Sequence, residues 1–259
     1  MYKVLFPEDN PFITEVAEQL RASGLCEVLL EKQDLTTACE KVVKRECDAI
    51  VAGIDNSSRD VILSARDVLG AAGEALSDGK KLFSSLFVAD LPDGRQVIVS
   101  DGATCKNPNS EQLARIAELT FDAASKILND EPRMAFLSFS TNGSGGKDPS
   151  MDKIREALAI LKAKRPDILA DGEMQLDAAI NPRIGAKKMP ESQVAGRANI
   201  LIVPDINSGN ILYKSLEQFA GAHVAGPILL GFNYPISDLS RGSTAEDIVI
   251  TTKYLLKLI

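Results

Sequence analysis

The sequence predicts an α/β fold in which helices cover a parallel sheet. The N-terminal part of the chain alternates short apolar strands with helices, beginning with a strand at Lys3–Phe6 and a helix at Pro11–Ser23. In that helix the apolar residues recur at the spacing of one helical face, and Gly24 follows as a stop signal. Strand–helix repeats of this length are typical of parallel sheets that carry helices on their faces.

The pattern changes beyond a loose, glycine-rich segment at residues 70–81, which we interpret as a domain boundary. Two strands then flank the turn sequence Pro92-Asp93-Gly94, which favours a hairpin. The other predicted strands are Glu27–Leu30, 48–52, 83–91, Gln96–Ser100, 134–140, 168–170, 200–203 and 224–230. The other predicted helices are 35–45, 58–69, 111–128, 150–164 and 208–220.

Composition narrows the class of protein. The chain has 259 residues, of which 45% are hydrophobic and 25% are charged, as in ordinary globular proteins. Its net charge of −7 argues against nucleic acid or anionic membranes as partners. The N-terminus does not resemble a signal peptide, and no apolar run reaches the length of a membrane span. We therefore expect a cytoplasmic protein.

Metal chemistry is not expected from the metal-ligating residues that the chain carries. Its four cysteines show no CxxC pairing or metal-ligand spacing. His223 is the only histidine, and it lies beside an apolar strand, where packing is its expected role. A zinc site or a histidine-based triad is therefore not predicted.

The most informative stretch lies near the end of the chain, where Ser240, Arg241 and Gly242 precede a helix-start signal. Ser243 is expected to cap this helix, with Glu246 closing a capping box. The free N–H groups of the first turn and the arginine would then attract an anion. Asp247 follows one turn later, close enough to act on a neighbouring group. The alternative is an ordinary surface arginine before an ordinary capped helix.

Three further segments carry polar residues at predicted strand ends. The loop 138–146 follows a strand and offers hydroxyls and backbone N–H groups to a phosphate, although it matches neither a Walker loop nor the dinucleotide fingerprint. The acids Asp171, Glu173 and Asp177 are candidates for a metal or acid/base cluster, or for structural capping and hydrogen bonding. In a third segment Ser208, Gly209 and Asn210 line a helix start, with Lys214 one turn further on.

Taken together, five segments resemble the phosphate acetyltransferase and phosphate butyryltransferase family: FLSFSTNGSGG, DGEMQLDAAINP, VAGRANILIVPDINSGNILYK, GPILLGFNYPISDLSRG and AEDIV. The resemblance implies a two-domain, three-layer α/β/α fold like that of isocitrate and isopropylmalate dehydrogenases, with an inter-domain cleft. We place the first domain at residues 1–75 plus 231–259 and the second at 76–230. It also implies a homodimer, and reversible transfer of an acyl group between coenzyme A and inorganic phosphate with no metal and no further cofactor.

Roles for individual residues follow from the same resemblance. Asp247 matches the family's base, which would take the proton of the coenzyme A thiol. Ser240 and Arg241 match residues that bind phosphate and stabilise the charge that develops on the carbonyl oxygen. The predicted substrate-binding residues are Ser140, Thr141, Ser208, Asn210, Lys214 and Arg59.

The chain also departs from the family pattern. Residues that typical members carry in the first domain are missing between Asp34 and Asp48. Leu63 stands where the family has an arginine, and Asn56 where it has a histidine; Gly94 stands at the position of a cysteine that some members carry. Arg59 and Arg66 lie one turn from Leu63 and are candidate replacements for that arginine. Arg59 is favoured because it lies nearer a strand end. The alternative is that both arginines are simply solvated.

The function expected from these observations is a compact phosphate acyltransferase. Its expected partners are acetyl-CoA or another short acyl-CoA, phosphate and the acyl phosphate, and a second copy of the chain. Butyryl specificity is one alternative. The other is a catalytically impaired relative that binds coenzyme A or a phosphate metabolite as a regulatory or scaffolding protein.

Overall fold

The computed structural model describes all 259 residues and contains ten strands and nine helices. The strands are β1 (Lys3–Phe6), β2 (Glu27–Leu30), β3 (Ala49–Ala52), β4 (Ser84–Asp90), β5 (Gln96–Ser100), β6 (Met134–Leu137), β7 (Ala170–Met174), β8 (Ile200–Ile202), β9 (His223–Leu230) and β10 (Ile236–Asp238). The helices are α1 (Pro11–Ser23), α2 (Leu35–Val43), α3 (Ser58–Val68), α4 (Ser110–Ile127), α5 (Pro149–Lys164), α6 (Leu176–Ile180), α7 (Pro182–Lys188), α8 (Ile206–Ala220) and α9 (Ala245–Leu256). The chain divides into two compact units, Met1–Glu74 with Ala225–Ile259, and Ala75–Val224.

Unit 1, which contains both ends of the chain, is built on the strand order β2-β1-β3-β10-β9. β1 pairs in parallel with β2 and with β3, and β10 pairs in parallel with β3. Only β9 runs antiparallel to its neighbour β10. Because the carboxyl ends of parallel strands lie at one edge of a sheet, the segments that follow β1, β3 and β10 meet there.

Helix α9 is anchored in the core of unit 1. It packs against α1, β3 and β10 and buries Ile248, Tyr254 and Leu255. The Thr251 hydroxyl accepts the N–H of Gly226 at 2.8 Å, which ties the helix to β9. The first turn of α9 is therefore held at a fixed place beside the end of β10.

Unit 2 has the strand order β4-β5-β8-β6-β7, in which the β4–β5 hairpin is antiparallel and the other pairs are parallel. Side chains alternate across β5. Val97 and Val99 belong to a buried cluster that includes Tyr213 of α8. On the other face, the Ser100 hydroxyl accepts a hydrogen bond of 2.8 Å from Thr120 of α4. Helices thus cover both faces of this sheet and form three layers.

The α/β class predicted from the sequence is confirmed, and most elements begin and end within two residues of their predicted bounds. One strand is misplaced, because the segment predicted at 168–170 pairs instead as β7, Ala170–Met174. The strand predicted at 134–140 ends at Leu137. Three short elements were missed, α6, α7 and β10, because three to seven residues are too few to show a hydrophobic period.

None of the helices is long and apolar enough to cross a membrane.

Candidate functional site

A tight turn follows β10 at the carboxyl edge of the unit 1 sheet. The Ser243 N–H donates to the Ser240 carbonyl at 2.9 Å, and the Gly242 N–H donates to the Ser240 hydroxyl at 3.3 Å. Arg241 occupies the second position of the turn, is exposed, and makes no ion pair. Its guanidinium is therefore available to an anion, and the Ser240 hydroxyl proton is not committed to a partner.

The helix cap lies one residue later than predicted, so the expected Ser243–Glu246 capping box is wrong. Thr244 is the N-cap of α9, with φ −80° and ψ 166°, and its hydroxyl accepts the Asp247 N–H at 3.2 Å. In return Asp247 Oδ2 accepts the Thr244 N–H at 2.8 Å. Ser243 cannot take this place because it closes the preceding turn. The N–H groups of Thr244 and Asp247 are consequently not free for an anion.

Asp247 is buried, with 7% of its surface exposed. Oδ2 is held by the Thr244 N–H, whereas Oδ1 accepts no hydrogen bond and is not enclosed. A carboxylate with one oxygen anchored and the other without a protein partner is suited to accept a proton from a molecule that reaches it.

A second carboxylate organises the loop after β3. Glu8, which follows β1 and is 3% exposed, accepts the backbone N–H groups of Gly53, Ile54, Asp55 and Asn56 at 2.9–3.1 Å. It also accepts the Asn56 side-chain amide at 2.7 Å. Converging N–H groups of this kind form an anion-binding nest, and here the protein fills the nest with its own carboxylate.

Asp238, at the end of β10, is a third carboxyl group at this edge. It is 1% exposed, and its Oδ1 has no hydrogen-bond partner. Burial raises the pKa of Asp238 to about 6, with a further increase from the charge of Glu8 and an opposing effect of the Ser58 hydroxyl. Gly53, at φ +119°, passes so close that an added Cβ would lie 2.7 Å from this oxygen and 2.6 Å from the Leu239 nitrogen.

The two candidate replacement arginines lie on the outer face of α3. Val61 and Ala65 form the buried face of this helix, while Arg59 and Arg66 are exposed. Arg66 forms an ion pair of 2.7 Å with Asp67, whereas Arg59 makes none. Arg59 is therefore the freer cation and the one nearer the end of β3.

In unit 2, the loop after β6 does not offer the free N–H groups that the sequence predicted. All seven N–H groups from Ser140 to Gly146 are taken by partners within the unit, at distances of 2.8–3.2 Å. The Ser140 hydroxyl donates to Glu173 at 2.9 Å, and the Thr141 hydroxyl accepts the Gln175 N–H at 2.9 Å. These two hydroxyls therefore hold the loop together, and the assignment of Ser140 and Thr141 to substrate binding stays a prediction.

Glu173 is the anchor of that loop. It is 2% exposed and accepts Arg155 Nε at 2.7 Å and the Gly143 N–H at 2.8 Å. Burial alone would raise its pKa, but the hydrogen bonds from Arg155, Gly143 and Ser140 outweigh burial and lower the pKa to about 2. The other two acids pair separately, Asp171 with Lys162 at 3.8 Å and Asp177 with Lys188 at 3.0 Å.

No group of three or more histidine, cysteine or acidic side chains is placed to hold a metal ion. The contacts of Asp171, Glu173 and Asp177 support structural hydrogen bonding as their role, and not a metal or acid/base cluster.

The three residues of α8 that were predicted to bind substrate differ in whether their side chains already have partners in the protein. This helix begins at Ile206, before the predicted start, and is capped by Asp205, which accepts both the N–H and the hydroxyl of Ser208. Asn210 donates to the Tyr213 hydroxyl at 3.3 Å. Lys214 is exposed and lies 5.1 Å from the Tyr213 ring centre, which leaves its ammonium group open to an anion.

Comparison with known proteins shows to which family the chain belongs. A family model described as "Phosphate acetyl/butaryl transferase" matches residues 4–255. The chain belongs to this family. It is 44% identical over 207 residues to a phosphate acetyltransferase of Clostridium acetobutylicum, a match that covers 78% of this chain and 60% of that relative. The chain thus spans about three fifths of that relative's length.

Solved structures agree on the fold. A phosphotransacetylase from Streptococcus pyogenes superimposes with a TM-score of 0.87 at 30% identity, over 99% of this chain and 93% of that one. A 4-hydroxythreonine-4-phosphate dehydrogenase from Klebsiella pneumoniae, only 10% identical, gives a TM-score of 0.58 over 98% of both chains. The second likeness concerns the fold alone and agrees with the expected dehydrogenase-like architecture.

The predicted site residues are divided between the two units. Ser240, Arg241 and Asp247 lie together around one turn and one helix start, and Arg59 lies on α3 of the same unit. Ser140, Thr141, Ser208, Asn210 and Lys214 belong to unit 2. Sequence reasoning missed Thr244 and Glu8. The Thr-x-x-Asp spacing of residues 244–247 could have indicated Thr244. Glu8 left no local signal, because its partners Gly53 to Asn56 lie 45 to 48 residues further along the chain.

Proposed function

We propose that this protein is a phosphate acyltransferase that reversibly moves a short acyl group between coenzyme A and inorganic phosphate. The observation that carries the proposal is the Ser240–Arg241 turn directly before a helix whose third residue, Asp247, has one anchored and one open carboxylate oxygen. The resemblance to phosphate acetyltransferases at 44% identity supports acetyl as the acyl group.

Each residue of unit 1 has a chemical role in the proposal. The Arg241 guanidinium binds phosphate or the phosphoryl group of the acyl phosphate, since a planar fork of N–H donors matches phosphate oxygens. The Ser240 hydroxyl, which accepts a hydrogen bond from Gly242, keeps its proton for the carbonyl oxygen on which negative charge develops. Arg59 adds positive charge at the same sheet edge, where Leu63 replaces the family's arginine.

Asp247 acts as the base. The thiol of coenzyme A transfers its proton to Asp247, and the thiolate attacks the carbonyl carbon of the acyl phosphate. A carbon–sulfur bond forms, the carbon–oxygen bond to phosphate breaks, and phosphate leaves with the electron pair. In the opposite direction phosphate attacks the thioester and Asp247 returns the proton to the departing sulfur.

In unit 2, Lys214 is the proposed cation for the anionic part of the substrates, with Asn210 as a neutral hydrogen-bonding group beside it. Ser208 contributes mainly by capping α8, since its hydroxyl is shared with Asp205. Ser140 and Thr141, in the loop held by Glu173, are the proposed polar residues that complete the substrate surface of this unit. Coenzyme A enters as a substrate, and no other cofactor is required.

We further propose that the protein is a homodimer joined through unit 2. Ile211 and Phe219 lie on one face of α8 and are 67% and 91% exposed, so this face offers apolar surface to a partner. A second copy that covers this face would bury both.

The alternative is a non-catalytic relative that binds coenzyme A or a phosphate metabolite. The residues missing from the first domain between Asp34 and Asp48 and the loss of the arginine at Leu63 favour it. Turnover separates the two: we expect steady release of free coenzyme A from acetyl-CoA after phosphate is added, followed with a thiol reagent. Butyryl-CoA in parallel tests the acyl group. Binding of acetyl-CoA without any release would support the alternative.

A further inference from the structure

We infer that Thr244 is a positioning residue for the reaction: its hydroxyl and N–H fix the Asp247 carboxylate so that Oδ1 faces the incoming thiol. The inference rests on the proposed function, because it concerns how the proposed base is held. It assigns a role to a residue outside the Ser240, Arg241 and Asp247 set.

The contacts are reciprocal. The Thr244 N–H donates to Asp247 Oδ2 at 2.8 Å, and the Thr244 hydroxyl accepts the Asp247 N–H at 3.2 Å. The first contact orients the carboxylate, and the second orients the backbone that carries it. The orientation of the Asp247 carboxylate and that of its backbone therefore both depend on Thr244.

The two oxygens of Asp247 are thereby given different tasks. Oδ2 accepts the Thr244 N–H of the helix cap, while Oδ1 accepts no hydrogen bond from the protein. Because the whole Asp247 residue is only 7% exposed, it can present only a small part of its surface to a substrate. If the cap were lost, rotation of the side chain would withdraw that part, so small changes in orientation should matter for proton transfer.

The capping role and the positioning role can be separated, because the chain contains a second box of the same kind. Asn109 caps α4 in unit 2, where its side chain accepts the Gln112 N–H at 2.8 Å and the Gln112 side chain accepts the Asn109 N–H at 2.9 Å. That box contains none of the proposed site residues. Loss of its cap should lower stability without altering the reaction.

The test compares Thr244→Val, which keeps the shape but removes the hydroxyl, with Thr244→Ser, which keeps the hydroxyl, and with Asn109→Ala. We expect kcat to fall about fivefold to tenfold in Thr244→Val, with KM for acetyl-CoA and phosphate within about twofold of wild type. Thr244→Ser should return kcat to within about twofold. Asn109→Ala should lower the melting temperature and leave kcat unchanged.

A second readout does not depend on turnover. The side-chain carboxyl of Asp247 can be observed by ¹³C NMR, its resonance being identified by its disappearance in Asp247→Asn. We expect the resonance to shift or broaden in Thr244→Val and to return in Thr244→Ser, with no change in Asn109→Ala. If the wild type shows no turnover, the proposed function fails and this spectrum alone decides whether Thr244 positions the carboxylate. An unchanged resonance, or a kcat in Thr244→Val equal to that of Asn109→Ala, would overturn the inference.

Discussion

The carboxylate of Glu173 accepts Arg155 Nε at 2.7 Å, although Glu173 is 2% exposed and lies on β7 while Arg155 lies on α5. This pair holds the loop that joins β6 to α5, through the further contacts of Glu173 with Ser140 and Gly143. The loop between β6 and α5, which the sequence predicts to bind a phosphate, is thus held in place by a buried carboxylate.

Substitution of Glu173 should show the pH dependence of that anchor. Its folded-state pKa of about 2 lies below the unfolded reference of about 4.3, so its contribution is present above pH ~4.3 and is lost as the pH falls towards about 2. At pH 7, Glu173→Gln should lower the free energy of unfolding by about 2–3 kcal/mol. Urea unfolding should show this difference shrinking below pH ~4. Asp67→Asn, in a surface ion pair, is the control and should cost below about 1 kcal/mol.

Asp238 should show the opposite sign. Its folded-state pKa of about 6 lies above the unfolded reference of about 3.9, so the contribution of Asp238 to stability is largest below pH ~3.9 and falls as the pH rises through about 6. Relative to Asp238→Asn, the wild type should lose about 2–3 kcal/mol between pH ~4 and pH ~7. Thermal unfolding of both proteins over this range measures it. Parallel stability curves for the two proteins would show that Asp238 does not titrate as described.

Arg59 is expected to contribute to substrate binding. Its guanidinium is exposed, makes no ion pair, and lies at the start of α3 beside the end of β3. Arg59→Ala should weaken binding of coenzyme A or acyl phosphate by about 1.5–3 kcal/mol, the contribution of a charged hydrogen bond. Arg66→Ala should do less, because Arg66 is paired with Asp67. Steady-state KM values that do not change in either variant of an active enzyme would mean that the arginine lost at Leu63 has no substitute.

The exposed face of α8 gives a test of assembly. Light scattering at micromolar concentration should report about twice the 27.8 kDa mass of the chain. Phe219→Glu should shift the protein towards the monomer, because a charge in an apolar interface is costly to bury. Gln19→Glu, which adds the same charge on the exposed surface of α1 in unit 1, is the control. A monomeric wild type at this concentration would contradict the proposed dimer.

Local pattern was sufficient for much of the fold but not for the details of the site. The helix at Pro11–Ser23 was predicted to the residue, because its apolar spacing and Gly24 are both local. The cap of α9 was misplaced by one residue, since either Ser243 or Thr244 satisfies the capping pattern and only the turn from Ser240 decides between them. The loop after β6 was misread because its main partner, Glu173, lies 30 residues from Gly143.

The buried carboxyl groups also could not be predicted from the local sequence. Nothing near Glu8 in the chain indicates that it accepts five hydrogen bonds from residues 53–56. Asp238 likewise sits in a three-residue strand whose two other members are also buried. Such groups are recognisable only once the strands that carry them have been paired.

The central claim, that Asp247 is the base of a phosphate acyltransferase, is tested most directly by the rate of coenzyme A release from acetyl-CoA and phosphate. Asp247→Asn keeps the shape of the side chain but removes its charge, whereas Glu246→Gln makes the same change on the exposed neighbour. We expect Asp247→Asn to lower kcat by roughly 10²–10⁴-fold with little change in KM, and Glu246→Gln to leave kcat near the wild-type value. An Asp247→Asn protein with near-normal kcat would contradict the assignment.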